Sequence, residues 1–215
     1  FLAMKDGYDH TPILFFALIT TLFLQILSNL ANDYGDYTKG TDNEHRIGPA
    51  RTLQAGLISA KAMKMAIFVF CILSLISGIL LLWKAGAFSD AKVFWFFLST
   101  GLLCILCAIT YTVGKNAYGY KGFGDVAVLV FFGLVGVLGT HYLMTHQFHY
   151  YNILPATACG LLATGVLNLN NLRDIENDRL HGKRSIPVII GYEKGKIYHT
   201  VLTLLSAILF AIYIL

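Results

Sequence analysis

Six long apolar stretches constrain this sequence more than any other feature. They lie at about residues 11–31, 62–83, 92–112, 125–144, 152–172 and 197–215. A helix that crosses a bilayer needs about 20 predominantly apolar residues, and each stretch meets that length. The mean hydropathy of +0.65 also exceeds what a soluble globular domain shows. The sequence therefore predicts an all-α fold, a polytopic transmembrane bundle with about six helices in this chain.

The basic residues fall almost entirely on one side of these spans. If the spans alternate in direction, all of the 16 lysines and arginines except Lys5, Lys84 and Lys92 share one side. Such an excess of cations marks the cytoplasmic side of a membrane protein. We therefore expect a multi-pass protein of the bacterial cytoplasmic (inner) membrane, in contact with the lipid bilayer. The net charge of +4 follows this topological pattern and does not indicate nucleic-acid binding.

Two acidic segments lie on the same predicted side as the cations. The first, NDYGDYTKGTD, follows the first span, and the second, RDIENDR, follows the fifth. If the first helix continues, spacings of i, i+3, i+4 and i+7 place four polar residues on one stripe: Asn29, Asn32, Asp33 and Asp36. A similar stripe follows the fifth span and comprises Asn170 or Asn171, Asp174 and Asp178. Two helices are thus expected to present acidic faces at one membrane surface.

Paired carboxylates beside a membrane are typical of a functional site. Mg²⁺ prefers oxygen ligands and is often bound by carboxylates together with substrate phosphates. Cations of the same side can hold further phosphate oxygens; the nearby ones are Arg46, Lys115, Lys121, Arg173, Lys183 and Arg184. For one segment alone, a solvated and charge-balanced loop is the alternative. Two segments with matched spacing favour a Mg²⁺ site.

The acidic motifs resemble those of the UbiA superfamily of intramembrane aromatic prenyltransferases, NxxxDxxxD and DxxxD. The second motif is intact from Asp174 to Asp178, whereas in the first Asn32 and Asp36 match and the third carboxylate moves from position 40 to Asp42. This shifted form, with the stretches YTVGKNAYGYKGFGD and GKRSIPVIIG, is similar to one branch of that family. That branch prenylates 1,4-dihydroxy-2-naphthoate in menaquinone synthesis.

The resemblance implies a fold and a reaction. The fold would be a single transmembrane prenyltransferase domain over residues 1–215, from a protein with about nine helices. The chain is then expected to be truncated at both ends. The reaction would transfer a polyprenyl group from polyprenyl diphosphate to 1,4-dihydroxy-2-naphthoate, with loss of CO₂ and diphosphate, giving demethylmenaquinone. A sister enzyme acting on 4-hydroxybenzoate or homogentisate is the nearest alternative, and a membrane cation transporter is a more distant one.

The resemblance also implies roles for individual residues. The expected catalytic residues are Asp36, Asp174 and Asp178. The expected Mg²⁺ ligands are Asn32, Asp33, Asp36, Asp42, Asp174 and Asp178. The expected substrate-binding residues are Asn29, Arg46, Tyr111, Lys115, Lys121, Asn171 and Arg173. The sequence identifies no general base, isoprenoid chain length or protein partner.

The cysteines and histidines do not predict a second metal site. Cys104 and Cys107 form a CxxC pattern inside an apolar run, where small core residues are the favoured interpretation. His141, His146 and His149 cluster on the side opposite the carboxylates. There we favour interfacial residues over metal ligands.

Overall fold

A computed structural model describes residues 1–8, 10–43, 47 and 51–215, and this part of the chain consists of helices and their connections. Its α-helices, in chain order, are α1 (Leu2–Lys5), α2 (Thr11–Thr38), α3 (Ala60–Lys84), α4 (Ala91–Thr110), α5 (Gly124–Val128), α6 (Thr140–Thr145), α7 (Ile153–Arg173), α8 (Ile175–Leu180), α9 (Ile186–Ile190) and α10 (Tyr192–Ile214). Short 3₁₀ turns occur at Ala87–Ser89, Tyr118–Lys121 and Tyr150–Asn152. The predicted all-α fold is confirmed.

Six helices of the described residues are long and apolar enough to cross a membrane. They are Thr11–Thr38, Ala60–Lys84, Ala91–Thr110, Gly124–Thr145, Tyr150–Arg173 and Tyr192–Ile214. Each coincides with one predicted apolar stretch, so the six predicted spans are confirmed. The first helix ends at Thr38 rather than at residue 31, because its polar last turns are buried among other segments of the same chain. The chain is therefore a multi-span membrane protein.

The fourth span is not a regular α-helix. Between α5 and α6, residues Leu129–Gly139 form a π-helical segment. Its Gly133 crosses α7 so closely that an added Cβ atom would lie 2.6 Å from the Ala156 carbonyl oxygen and 2.8 Å from Gly160 Cα. π-Helical segments are rare and are frequently found at functional sites. Here the segment forms one wall of a cavity inside the bundle.

The helices form two packed groups with this cavity between them. In one group α2 packs against α3 and α4, and in the other α7 packs against α10 and the π-helical segment. Phe97 of α4, which lines the cavity, stacks on Tyr142 of α6 with ring centroids 5.7 Å apart. The cavity measures about 610 Å³. It is therefore large enough for a small-molecule ligand.

The two ends of the bundle differ in chemistry. At one end a buried apolar cluster includes Ile13 of α2, Leu82 and Leu143. At the other end α2 carries the buried carboxylates Asp33 and Asp36. At 1.5 Å per residue, Ile13 and Asp36 are separated by about 35 Å along α2. The acidic end is the candidate functional site.

Candidate active site

The first acidic segment lies on one continuous helix, as the spacing predicts. Asp33 and Asp36 are buried in the last turns of α2. The loop that follows α4 lies directly against α2 at Gly35. A Cβ atom at this position would overlap the Thr112 side chain. Thr112 Oγ1 in turn donates a hydrogen bond of 3.0 Å to the Ala31 carbonyl oxygen. Gly35 thus allows the loop after α4 to cover the acidic end of α2.

The second acidic segment departs from the predicted single helix. α7 ends at Arg173, and Asp174 interrupts the regular helix before α8 begins at Ile175. Two helix-type hydrogen bonds are nevertheless retained across the break: Asp174 N donates to the Asn170 carbonyl oxygen (3.1 Å) and Asp178 N to that of Asp174 (2.8 Å). The helix is thus interrupted at Asp174, but Asp174 and Asp178 remain about one helical turn apart.

The two acidic segments meet at one lysine. Lys183 Nζ lies 3.6 Å from Asp36 Oδ2 and 3.6 Å from Asp178 Oδ1. A hydrogen bond of 2.6 Å from Asn177 Nδ2 to the Thr41 carbonyl oxygen joins the same two segments. The structure therefore brings the end of α2 and the start of α8 into one site, although well over 100 residues separate them in sequence.

Tyr120 is the central aromatic residue of this cluster. Its hydroxyl donates a hydrogen bond of 2.7 Å to Asp36 Oδ1, and its oxygen lies 2.6 Å from Thr41 Oγ1. Lys39 Nζ lies 3.9 Å from the centroid of the Tyr120 ring and donates to the Thr112 carbonyl oxygen at 2.7 Å. Both oxygens of Asp36 therefore have partners, and the carboxylate is held in a fixed orientation.

A second cluster contains the other two carboxylates of the first segment. Thr52 Oγ1 donates a hydrogen bond of 2.7 Å to Asp33 Oδ2. Arg51 Nε lies 3.7 Å from Asp33 Oδ1 and 3.9 Å from Asp42 Oδ2. Asp33 and Asp42 are both buried. Arg51 thus stands between these two aspartates much as Lys183 stands between Asp36 and Asp178.

The predicted diphosphate-binding cations occupy different places. Lys115 and Lys121 are exposed, and Lys121 Nζ donates to Asn116 Oδ1 at 3.2 Å. Arg173 makes a bidentate contact with Asp174, through Nε at 3.0 Å and Nη2 at 2.7 Å. Arg46 lies outside the described residues. Within those residues, Arg51 lies near Asp33 and Asp42, Lys183 lies near Asp36 and Asp178, and Arg173 contacts Asp174.

The cavity begins beside this acidic end. Its polar mouth includes Asn29, Asn32 and Arg51, and Tyr111 also contributes to its wall. Asn170 lines the cavity, whereas Asn171 is buried and does not. Helical spacing left the choice between these two asparagines open, and Asn171 is the expected substrate-binding residue; Asn170 is instead the one that lines the cavity. Deeper in the bundle the walls are mainly apolar, with side chains such as Leu98, Ile105, Phe131 and Val135.

Asp174 belongs to a different concavity. With Arg173, Asn177 and Ile47 it lines a pocket of about 360 Å³. No side chain of this pocket is among those lining the central cavity in the described part of the chain. The structure thus separates Asp174 from the cavity wall, while its neighbour Asp178 contacts Lys183.

Burial and neighbouring charges together set the pKa values of Asp178 and Lys183 at this site. Burial raises the pKa of Asp178 to about 6; the adjacent Lys183 ammonium opposes this shift, and the charges of Asp36 and Asp174 add to it. Burial acts to lower the pKa of Lys183, but the negative charges of Asp36 and Asp178 outweigh it and keep that pKa above its ordinary value. A cation bound beside Asp178 would therefore lower the pKa of this carboxyl group and favour its ionised form.

The donor atoms of the acidic end fit a hard cation. Among the described residues, Asn32 Oδ1, Asp33 Oδ1 and Asp178 Oδ2 are buried and have no hydrogen-bond partner. Such orphaned oxygens are costly unless a ligand, an ion or water satisfies them. All three are oxygen donors, which Mg²⁺ prefers over nitrogen or sulfur. The residues present are therefore suited to Mg²⁺.

Sequence reasoning finds the carboxylates of this site but only part of their surroundings. It names Lys183 only as a nearby cation, and it omits Arg51 and Tyr120 from the site residues. Arg51 and Lys183 each follow an acidic segment within about ten residues, which is the one local signal that indicates them. The role of Tyr120 depends on a loop far away in sequence, so no local pattern reveals it.

Comparison with known proteins gives a consistent result. The model of the UbiA prenyltransferase family matches residues 1–215. A 1,4-dihydroxy-2-naphthoate octaprenyltransferase from Haemophilus influenzae is 48% identical over 206 residues, which cover 96% of this chain and 66% of the relative. The protein of the same name from Escherichia coli is 48% identical over 212 residues, which cover 99% of this chain and 68% of the relative.

More distant relatives extend this similarity to animals. UbiA prenyltransferase domain-containing protein 1 from Gallus gallus is 26% identical over 211 residues, which cover 96% of this chain and 60% of that protein. No solved structure matches the chain. The chain spans about two thirds of the length of the two bacterial relatives, at 66% and 68%.

Proposed function

Because the chain belongs to the UbiA prenyltransferase family, we propose that its protein transfers a polyprenyl group from polyprenyl diphosphate to 1,4-dihydroxy-2-naphthoate. The two bacterial relatives with 48% identity carry the name of an enzyme with this acceptor. The observation that carries the proposal is the meeting of two acidic segments at Lys183, beside a cavity that continues among apolar side chains. A diphosphate and a hydrocarbon tail need such adjoining polar and apolar regions.

Mg²⁺ would be held by the oxygen donors of both segments. On the α2 side they are Asn32, Asp33, Asp36 and Asp42, and on the α8 side Asp174 and Asp178. Bound there, Mg²⁺ would neutralise the charge that develops on the diphosphate oxygens as the leaving group departs. The orphaned oxygens of Asn32, Asp33 and Asp178 support this assignment.

The chain's own cations act on the same developing charge. Arg51 lines the cavity, and Lys183 lies between Asp36 and Asp178. Cations fixed in a water-poor site stabilise a departing diphosphate more than the intact substrate, which lowers the barrier. We include Arg51 and Lys183 with Arg46, Lys115, Lys121 and Arg173 as residues that contact the diphosphate.

The apolar walls support the second half of the reaction. When the allylic C–O bond breaks, diphosphate leaves with the electron pair and an allylic cation remains. The naphthoate carbon that bears the carboxylate then forms the new C–C bond, and loss of CO₂ returns the electrons of the C–COO bond to the ring. Side chains such as Ile105 and Phe131 exclude water that would otherwise capture the cation. The product is the hydroquinone of demethylmenaquinone.

The test is a direct assay with the full-length protein in detergent or in membranes. It receives one polyprenyl diphosphate and, in parallel, 1,4-dihydroxy-2-naphthoate, 4-hydroxybenzoate or homogentisate. We expect a prenylated, decarboxylated naphthoquinol and release of the ¹³C-labelled carboxyl group as CO₂. Product from another acid alone would assign a sister enzyme. Metal flux into liposomes without prenyl transfer would instead support a cation transporter.

Two aspartate variants connect the assay to the site. We expect Asp36→Ala and Asp174→Ala to abolish turnover while the protein remains membrane-inserted and monodisperse in detergent. The exposed Glu176→Ala, from the same acidic segment as Asp174, is the matched control and should retain activity. Wild-type rates in either aspartate variant would contradict the proposed site.

Removal of divalent metal tests the cofactor. We expect EDTA to abolish prenyl transfer and added Mg²⁺ to restore it, because the carboxylates alone repel the diphosphate. The control is EDTA already saturated with Mg²⁺, which should leave the rate unchanged. Turnover that persists after complete chelation would exclude Mg²⁺ dependence.

The acidic end would face the cytoplasm of a bacterium. The excess of lysine and arginine on that side supports this orientation. Single cysteines at exposed positions 57 and 150, in a protein without its native cysteines, report the two ends. We expect a membrane-impermeant thiol reagent to label position 150 in intact cells and position 57 only after lysis. Labelling of position 57 in intact cells and of position 150 only after lysis would place the acidic end on the opposite side of the membrane.

A further inference from the structure

A cluster of possible metal ligands lies at the end of the bundle opposite the acidic site. It consists of Asp6, His141 and His149, and one ligand atom from each lies within 4.8 Å of the other two. His141 Nε2 lies 2.8 Å from Asp6 Oδ2, and His149 Nε2 lies 3.9 Å from the same oxygen. Two imidazole nitrogens thus lie near one carboxylate oxygen.

Three separate segments supply these side chains. Asp6 directly follows α1, His141 lies in α6, and His149 lies in the connection between α6 and α7. His141 is buried, whereas Asp6 and His149 are partly exposed, with 31% and 45% of their side chains accessible. One ligand is therefore rigidly held by the bundle, and the other two leave a path for an ion to enter.

We propose that Asp6, His141 and His149 form a binding site for a borderline divalent cation of the Zn²⁺ class. The site is independent of the acidic end and of the proposed prenyl transfer. Imidazole nitrogens combined with a carboxylate oxygen suit Zn²⁺ or Co²⁺, whereas Mg²⁺ prefers oxygen ligands alone. The two ends of the bundle would thus select different metals by the chemistry of their donor atoms.

The separations of the ligand atoms agree with such an ion. Ligands at about 2.0–2.1 Å from a tetrahedral Zn²⁺ lie about 3.4 Å from one another. The observed separations of 2.8 Å and 3.9 Å fall on either side of this value. Small side-chain rotations would equalise them, and the exposed side would accept water as the fourth ligand. Gln147 Oε1 lies 3.1 Å from His149 Nε2, so a metal ion bound through this nitrogen would replace that hydrogen bond.

Occupancy would fasten the N-terminal segment to the rest of the bundle. α1 already packs against α6, and the Asp6–His141 contact joins the same two segments. A metal ion that binds all three ligands would add the α6–α7 connection to this contact. We therefore expect bound Zn²⁺ to raise the thermal stability of the protein as well as to bind measurably.

The experiment uses the full-length protein in detergent, with excess Mg²⁺ present to occupy the oxygen site. Zn²⁺ binding is measured by equilibrium dialysis, and Co²⁺ serves as the spectroscopic probe. We expect one Zn²⁺ per chain with a Kd below about 10 μM, and visible Co²⁺ absorption typical of tetrahedral nitrogen and oxygen ligation. Thiolate charge-transfer bands in the near ultraviolet would instead assign the ion to cysteines such as Cys104 and Cys107.

Single-ligand variants decide the assignment. His149→Ala and Asp6→Asn change partly exposed side chains and should fold; each is expected to weaken Zn²⁺ binding at least tenfold and to remove the thermal shift. His146→Asn is the matched control, because His146 has a positive φ of 54° that Asn tolerates, and it lies outside the cluster. It should bind Zn²⁺ like the wild type.

Three results would overturn the proposal. The first is a wild-type protein that binds no Zn²⁺ below about 100 μM. The second is unchanged binding in both His149→Ala and Asp6→Asn. The third is loss of Zn²⁺ binding in Asp36→Ala with retention in His149→Ala, which would place the ion at the acidic end.

Discussion

At the scale of single residues, the acidic site depends on how its carboxylates are oriented. Asp36 uses both oxygens, one for Tyr120 and one for Lys183. Asp33 accepts a hydrogen bond from Thr52 at one oxygen; its other oxygen lies 3.7 Å from Arg51 Nε but has no hydrogen bond among the described residues. The first aspartate is thus fixed by the protein, and the second has an oxygen available to a ligand.

Tyr120→Phe removes the hydrogen bond that orients Asp36. A hydrogen bond to a charged group contributes about 1.5–3 kcal/mol, so we expect the Mg²⁺ concentration for half-maximal activity to rise about tenfold or more. The rate at saturating Mg²⁺ should fall less, because Tyr120 acts through Asp36 rather than on the substrate. The measurement is a Mg²⁺ titration of prenyl transfer.

Tyr118→Phe is the control for this change. It removes a hydroxyl from the same 3₁₀ turn, but that hydroxyl donates to the Cys107 carbonyl oxygen at 3.0 Å and has no contact with the carboxylates in the described residues. We expect an unchanged Mg²⁺ requirement. Equal shifts in Tyr118→Phe and Tyr120→Phe would show that Asp36 does not depend on Tyr120.

At the scale of helices, the sequence predicts the spans well and their irregularities poorly. Apolar length identifies all six, because bilayer thickness sets a fixed requirement on each. The π-helical segment Leu129–Gly139 and the break at Asp174 leave no mark in hydrophobic periodicity. Both depend on packing between helices. The same limit applies to Arg51 and Lys183, whose place beside the carboxylates is set by loop conformation.

The crossing of α7 with the π-helical segment is sensitive to added volume. Gly133→Ala would place a methyl group 2.6 Å from the Ala156 carbonyl oxygen. Overpacking of this kind costs about 1–3 kcal/mol, more than the roughly 1 kcal/mol that Ala gains over Gly in a helix. We therefore expect a lower midpoint of thermal unfolding in detergent.

Gly101→Ala in α4 provides the comparison. No atom lies within 4 Å of a Cβ atom at Gly101, so only the gain in helix propensity remains. This variant should be as stable as the wild type or more stable. If Gly133→Ala matched Gly101→Ala in stability, the close crossing would not be a constraint in the membrane protein.

At the scale of the whole molecule, two groups of helices enclose a cavity that is polar at one end and apolar along its depth. A long hydrocarbon chain would need the volume of this cavity, so a bulky side chain in its wall should obstruct binding. Val135→Trp would fill part of the apolar region. We expect activity with an octaprenyl donor to fall about tenfold, or about 1.4 kcal/mol, and activity with a short geranyl donor to fall much less.

Val126→Trp controls for the bulk of the indole. Val126 lies nearby in α5 but is 59% exposed and does not line the cavity. Its replacement should leave the preference between long and short donors unchanged. A uniform loss with both donors in Val135→Trp would indicate damage to the fold instead of a filled cavity.

In the proposed reaction, Lys183 would act on the site between catalytic cycles. Carboxylates crowded into a region of low polarity repel one another. If exchangeable ions alone held the two acidic segments together, the segments would separate whenever those ions left with the product. A tethered ammonium between Asp36 and Asp178 cannot diffuse away. If the protein acts as proposed, Lys183 would keep the two acidic segments together while the site is empty, and each new substrate would meet a site that is already assembled.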